Sequence, residues 1–169
     1  MKTFLIISVS IILIGIAWYG LSPLFDTKVV NDPAPEKGAT TEDALLVADD
    51  AAKNPRQETD VITPPSKRIP IVDTPAHPAS GFVRIVKDGD QTIIRYEDYK
   101  TINGPDVRIY LANDLQAADY INLGPIKGTE GNINYTVPAG VDIARYRYVL
   151  TWCEDFSVLF NTADLSLGQ

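Results

Sequence analysis

Only one cysteine, Cys153, and one histidine, His77, occur in the 169 residues. A lone cysteine excludes an internal disulfide, a paired-cysteine zinc site, a C-x-x-C redox pair and a C-x-x-C-H haem attachment. A lone histidine removes every multi-histidine metal centre and leaves no credible Ser-His-Asp triad. Bases are scarce as well: 15 Lys and Arg stand against 22 Asp and Glu, for a net charge of −7. A surface of that sign repels phosphate backbones, which argues against nucleic acid as a partner. The excess is not gathered into one tail, because residues 22–78 hold 10 acids and 6 bases while residues 79–169 hold 12 and 8. It is ordinary solvation.

Charge is wholly missing from Thr3 to Leu21, T-F-L-I-I-S-V-S-I-I-L-I-G-I-A-W-Y-G-L. Nineteen such residues match the ~20 that a helix needs to cross a bilayer. Trp18 and Tyr19 lie at the end of the run, where aromatic rings favour the headgroup layer. The run exceeds the 7–15 residues of an ordinary signal-peptide core, and no A-x-A-like site follows directly. An uncleaved signal anchor is the expectation over residues 1–21, with a cleaved secretory signal as the alternative. Lys2 before the span favours a cytoplasmic N-terminus. Both readings put the remainder outside the cytoplasm, either on a single-pass membrane anchor or secreted.

Residues 22–78 contain nine of the twelve prolines. Proline lacks a backbone donor and restricts the residue before it, so helix and central strand are disfavoured there. Residues 22–76 are therefore expected to be an acidic, semi-stiff tether. The exception is Thr40 to Lys53, where a capping threonine, early acids and a late lysine allow a short helix.

From about residue 79 the texture changes. Phe82 to Val86 and Thr92 to Tyr96 flank K-D-G-D, a hairpin signal. Val107, Ile109 and Leu111 alternate with Arg108 and Tyr110, and Ile133, Tyr135 and Val137 alternate with small polar residues. Tyr146 to Cys153 and Phe156 to Phe160 form the last two expected strands, with Glu154-Asp155 between them. Asn113 to Ala118 leaves room for one helical turn. Short strands with frequent turns predict an all-β fold over residues 77–169, a compact antiparallel β-sandwich or barrel-like domain. Val149, Thr151 and Cys153 share one strand face and Tyr148, Leu150 and Trp152 the other. The polar and small members of the first set predict that Cys153 lies on the less apolar face or at a strand end.

The ordered segments H-P-A-S-G from His77, G-P-D-V-R-I-Y-L from Gly104, I-N-L-G-P-I-K-G from Ile121, G-N-I-N-Y-T-V-P from Gly131 and W-C-E-D-F-S-V-L-F-N-T-A-D-L from Trp152 resemble the DM-thirteen electron-transfer domain family. The resemblance covers about residues 77–165. It implies an extracytoplasmic β-rich domain with a signature cysteine, here Cys153, acting in redox or electron transfer. Asn161 departs from the glycine expected there, and asparagine tolerates a left-handed turn better than most residues.

Cys153 is thus the candidate redox thiol, working through a redox protein partner or a bound cofactor, because one thiol cannot store two electrons as an internal disulfide. No cofactor is identified by the residues, and no metal ligands are assigned. Trp152 and His77 are the candidate cofactor-binding residues, His77 only if the sheet brings it to Cys153. Glu154 and Asp155 would disfavour a reactive thiolate. The rival expectation is a non-catalytic binding or adhesion module in which Cys153 is a small buried hydrophobe. The remaining tyrosines read as packing, and the acid pairs Asp88/Asp90, Glu97/Asp98 and Glu154/Asp155 as turn and surface residues. Asn134-Tyr135-Thr136 fits a glycosylation acceptor on a polar face.

Overall fold

A computed structural model describes residues 8, 10–12, 15, 26–35 and 67–168. The strands are β1 (Val29–Asn31), β2 (Ile69–Pro70), β3 (Val72–Asp73), β4 (Ser80–Asp88), β5 (Gln91–Lys100), β6 (Val107–Ala112), β7 (Tyr120–Pro125), β8 (Glu130–Thr136), β9 (Tyr148–Cys153) and β10 (Val158–Asp164). They form two five-stranded sheets, ordered β1-β8-β5-β4-β2 and β3-β10-β9-β6-β7. All strand pairs are antiparallel except β1 with β8. The all-β sandwich expected from the alternation is present.

The period-two pattern sets the core. Ile94, Tyr96 and Tyr99 of β5 and Ile133 and Tyr135 of β8 project from one sheet. Ile109 and Leu111 of β6, Val149 of β9 and Ala163 of β10 meet them from the other. Each fully buried side chain of this size contributes roughly 1.5–3 kcal/mol. The K-D-G-D signal closes the β4–β5 hairpin through Gly89-Asp90, with φ +55° at Gly89. A positive φ at that first central position suits a primed hairpin turn.

The segment expected to be tether differs from expectation. Three short strands come from residues 22–76: β1 on an outer edge of the first sheet, β2 on its other edge, and β3 on an edge of the second. Edge positions tolerate proline because one side of the strand needs no ladder donor, which is why Pro70 can sit in β2. Ile71 lies between the β2 and β3 pairings, where the chain passes from one sheet to the other. The helix expected over Thr40 to Lys53 lies outside the described residues, as does most of Thr3 to Leu21. Among the described residues no helix is long and apolar enough to cross a membrane.

Asn113–Ala118 is not helical. Asp114 accepts from the Gln116 and Ala118 backbone amides at 2.8 and 3.1 Å, so a side-chain turn replaces the expected helical one.

The two ends of the sandwich are distinct. One end carries the 101–106, 126–129 and 154–157 connections, and the chain enters it at Lys28. Thr129 and Glu130 donate their backbone amides to the Lys28 carbonyl, at 2.8 and 3.2 Å. The opposite end carries the 89–90, 113–119 and 137–147 connections. Cys153 belongs to the first.

Candidate functional site

Cys153 is the last residue of β9, held between Val107 of β6 and Val158 of β10. The expected strand-end position is correct, but the face is not the less apolar one. Thr151 and Cys153 are both wholly buried, and Val149 on the same face packs in the main core, so this is the inter-sheet face. The thiol sits in a small satellite core with Val107 and Phe160, covered by Ile102, Ile126 and Val158.

A β-bulge between Leu159 and Asn161 shapes this end of β10. The extra residue breaks the alternation, so that the consecutive Phe160 and Asn161 are both buried. Asn161 is therefore a strand residue, and φ there is not positive; the expected left-handed turn is corrected. Its Nδ2 donates to the Tyr99 hydroxyl at 3.3 Å and to Thr101 Oγ1 at 3.1 Å. The Tyr99 hydroxyl is also 3.1 Å from Thr151 Oγ1. Burial pushes the Tyr99 pKa up, so the phenol stays protonated within the network. Four polar side chains thus satisfy one another one alternation away from the thiol.

His77 reaches this cluster indirectly. The Thr74–His77 turn is closed by the His77 amide donating to the Thr74 carbonyl at 3.0 Å. His77 Nδ1 lies 2.9 Å from Thr74 Oγ1, which donates to the Phe160 carbonyl at 3.0 Å. The imidazole stacks on the Phe160 ring, with centroids 4.0 Å apart and planes inclined by 18°. Half-burial lowers the His77 pKa below its ordinary value. Gly104 backs the arrangement: a Cβ there would stand 3.0 Å from the Phe160 ring and 2.9 Å from Val107. His77 is therefore stacked on an aromatic neighbour of the thiol.

Trp152 is separated from Cys153 by the sheet itself. It lies on the outer face of the second sheet with Tyr110, Leu150, Tyr148 and Leu159. Tyr110 stacks on Tyr120 at 4.1 Å and donates its hydroxyl to the Glu154 carboxylate. Burial, reinforced by that carboxylate, pushes the Tyr110 pKa far up. Glu154 is thus engaged on the face opposite the thiol, and Asp155 is exposed in the turn.

The acids Glu97 and Asp98 lie on the outer face of the first sheet, Asp98 exposed and Glu97 partly covered by arginines. Glu97 is drawn into a cluster on the outer face of the first sheet, paired with Arg68 and Arg84 at 3.1 Å and Arg95 at 3.4 Å. The bulge at Asp98 (φ +50°) brings its carboxylate to Arg68 as well. Asn134, the acceptor-pattern residue, is engaged too: Oδ1 accepts from Arg95 at 2.8 Å and Nδ2 donates to the Pro33 carbonyl at 2.9 Å.

Among the described residues no group of three His, Cys, Asp or Glu could hold a metal ion. A cavity of about 210 Å³ opens at this end of the sandwich, lined by Pro78, Ala79, Ser80, Lys100, Thr101 and Ile102. It is below the ~300–1,000 Å³ of ordinary ligand pockets. Two of its walls, Thr101 and Ile102, touch the polar network and the thiol cluster respectively. Phe160, Thr74, Asn161 and Gly104 were missed as site residues by sequence reasoning; only the bulge, a non-local feature, brings Phe160 and Asn161 inward together.

The family model described as "Electron transfer DM13" matches residues 72–165. The match begins at β3 and ends just after β10, so it takes in Cys153, His77 and Phe160. No curated protein and no solved structure matches the chain.

Proposed function

The chain belongs to the Electron transfer DM13 family, and from that premise we propose a membrane-anchored extracytoplasmic domain whose electron-transfer role centres on Cys153. The observation that carries this reading is the contact series Cys153, Phe160, His77. Phe160 packs in the thiol's own cluster, and the half-buried His77 stacks on it. Close packing of this kind offers a short through-protein route from solvent to a thiol that no partner can touch. In a one-electron exchange the thiol gives an electron to an oxidised protein partner and its proton to solvent. Exchange with a reduced partner restores it. A single thiol has no second sulfur with which to store a second electron, so the domain acts through that partner or a small bound cofactor. The uncharged run from Thr3 to Leu21 supports the anchor.

A second reading has its own observation. Cys153 is wholly buried among apolar side chains, as expected of a structural cysteine in a binding or adhesion module.

Mediated redox titration of the full chain, followed by visible and electron paramagnetic resonance spectra, separates the two. A couple that disappears in a folded Cys153→Ala variant supports electron transfer at the thiol. A slower exchange in His77→Ala, restored by His77→Phe, supports the stacked route. No couple, or one that persists in Cys153→Ala, leaves the structural reading.

A further inference from the structure

The Cys153 end of the sandwich is also the end at which the chain enters from its N-terminal segment. Lys28 is bonded there through both its backbone groups: its carbonyl accepts from the Thr129 and Glu130 amides and from Thr129 Oγ1 at 3.5 Å, and its amide lies 2.9 Å from Thr129 Oγ1. β1 then runs from that end along β8, in register from Val29 with Glu130 to Asn31 with Asn132. Gly128 and Gly131 permit the close approach. A Cβ at Gly128 would stand 2.7 Å from Val30, and one at Gly131 would stand 2.1 Å from the Val30 carbonyl oxygen. The entry point is fixed to the sheet.

We infer that this end of the sandwich lies against the surface of a lipid bilayer, with Phe156 as the contact. The inference rests on the anchor reading above. Six residues, 22–27, lie between Leu21, the end of the expected span, and Lys28, seven Cα-to-Cα steps in all. Fully extended, they reach at most about 25 Å. The ten residues of β5 make the sandwich about 33 Å long at ~3.3 Å per residue. The connection is shorter than the domain, so the opposite end cannot be turned to the membrane while Lys28 stays bonded.

The exposed chemistry of the near end fits the same partner. Phe156, in the β9–β10 turn, is 69 % exposed, the most exposed aromatic residue described in the sandwich. An exposed phenylalanine at a turn tip can bury its apolar ring at the boundary between headgroups and acyl chains. At this end Lys100 pairs with Glu130 at 3.0 Å, and Arg108 with Asp106 at 2.9 Å and Glu154 at 3.9 Å, which leaves Asp155, beside Phe156, as the exposed acid of the turn. Zwitterionic lipid has no net charge with which to repel that acid.

The test uses the full chain in phosphatidylcholine vesicles that contain an acceptor-labelled headgroup lipid. A donor fluorophore is placed on Asp155→Cys, in the near turn, or on Ala139→Cys, at the far end. Both positions are exposed, and the buried Cys153 is not labelled in the folded chain. The expected energy transfer is at least about twofold greater from residue 155 than from residue 139, given the length of the strands. Changing Phe156 to Ser should reduce transfer from residue 155, with vesicle flotation unchanged. Equal or reversed transfer in chains that float with the vesicles overturns the orientation and leaves the anchor intact. An unchanged signal in Phe156→Ser overturns the Phe156 contact. Failure to float removes the anchor reading, and this inference with it.

Discussion

Access to the Cys153 thiol is the quantity on which both functional readings turn, and its cost can be worked from the packing. No part of Cys153 is exposed, so a thiol reagent reacts only when the end of the sandwich opens. The least opening that uncovers the sulfur separates the β9–β10 hairpin end from the 101–106 loop and strips the cluster of Val107, Cys153 and Phe160. Burying a valine or phenylalanine is worth roughly 1.5–3 kcal/mol each, and a thiol about 1 kcal/mol. Opening therefore costs about 4–7 kcal/mol, or a protection factor of roughly 10³–10⁵ at 1.4 kcal/mol per decade. The assay is stopped-flow labelling with a chromogenic disulfide, comparing the folded chain with the same chain in denaturant at one pH. Native labelling within about tenfold of the unfolded rate would refute the packing argument. It would also restore direct thiol exchange with a partner, which the observed burial disfavours.

Three further outcomes are expected. Asn161→Ala loses two buried hydrogen bonds and leaves Thr101 and Tyr99 short of a donor, so urea unfolding should show a loss of about 2–3 kcal/mol with an unchanged m-value. Gly131→Ala places a Cβ against the Val30 carbonyl at φ +112°, so hydrogen exchange at Asn31 and Asp32 should accelerate while the β5–β6–β9 core stays protected; unchanged exchange would refute the close approach. For His77, burial lowers the folded pKa below 6.5, so protonation opposes folding. Stability is then full above pH 6.5 and declines as pH falls through 6.5 toward the folded value. Denaturation curves from pH 7.5 to 5.5 should show this slope in the wild type and a reduced one in His77→Phe.

Alternation made the inner strands legible. Ile133, Tyr135 and Val137 announce their face because the other side of β8 is more polar, and in β6 Arg108 marks the outer face although Tyr110 and Ala112 there are buried too. β9 resisted the same treatment for a physical reason. Leu150 and Tyr110 are as buried on the outer face as Val149 is on the inner one, so apolarity does not distinguish the two sides. β1, β2 and β3 are two or three residues long and gain order only from partners distant in sequence, as with Val29 opposite Glu130. Proline content marked the surrounding segment as irregular, and no local pattern could reveal those edges. The candidate site divided similarly. Cys153 stood out by being alone, and His77 by opening the matched motif series. Phe160, which links them, shares its face with Val158 and Cys153, but only the bulge brings Asn161 inward beside it. Trp152, adjacent in sequence, was carried to the opposite side by that same alternation.

The pairing of β1 with β8 has a mechanical consequence. Tension on the N-terminal segment enters at Lys28 and pulls along the axis of β1, parallel to the strand it is bonded to. The bonds along this edge are then loaded together in shear, instead of being peeled one after another. A domain attached in this way resists detachment of its edge by drag or collision. The load is borne by the first sheet, whereas Cys153 and Phe160 sit in the second.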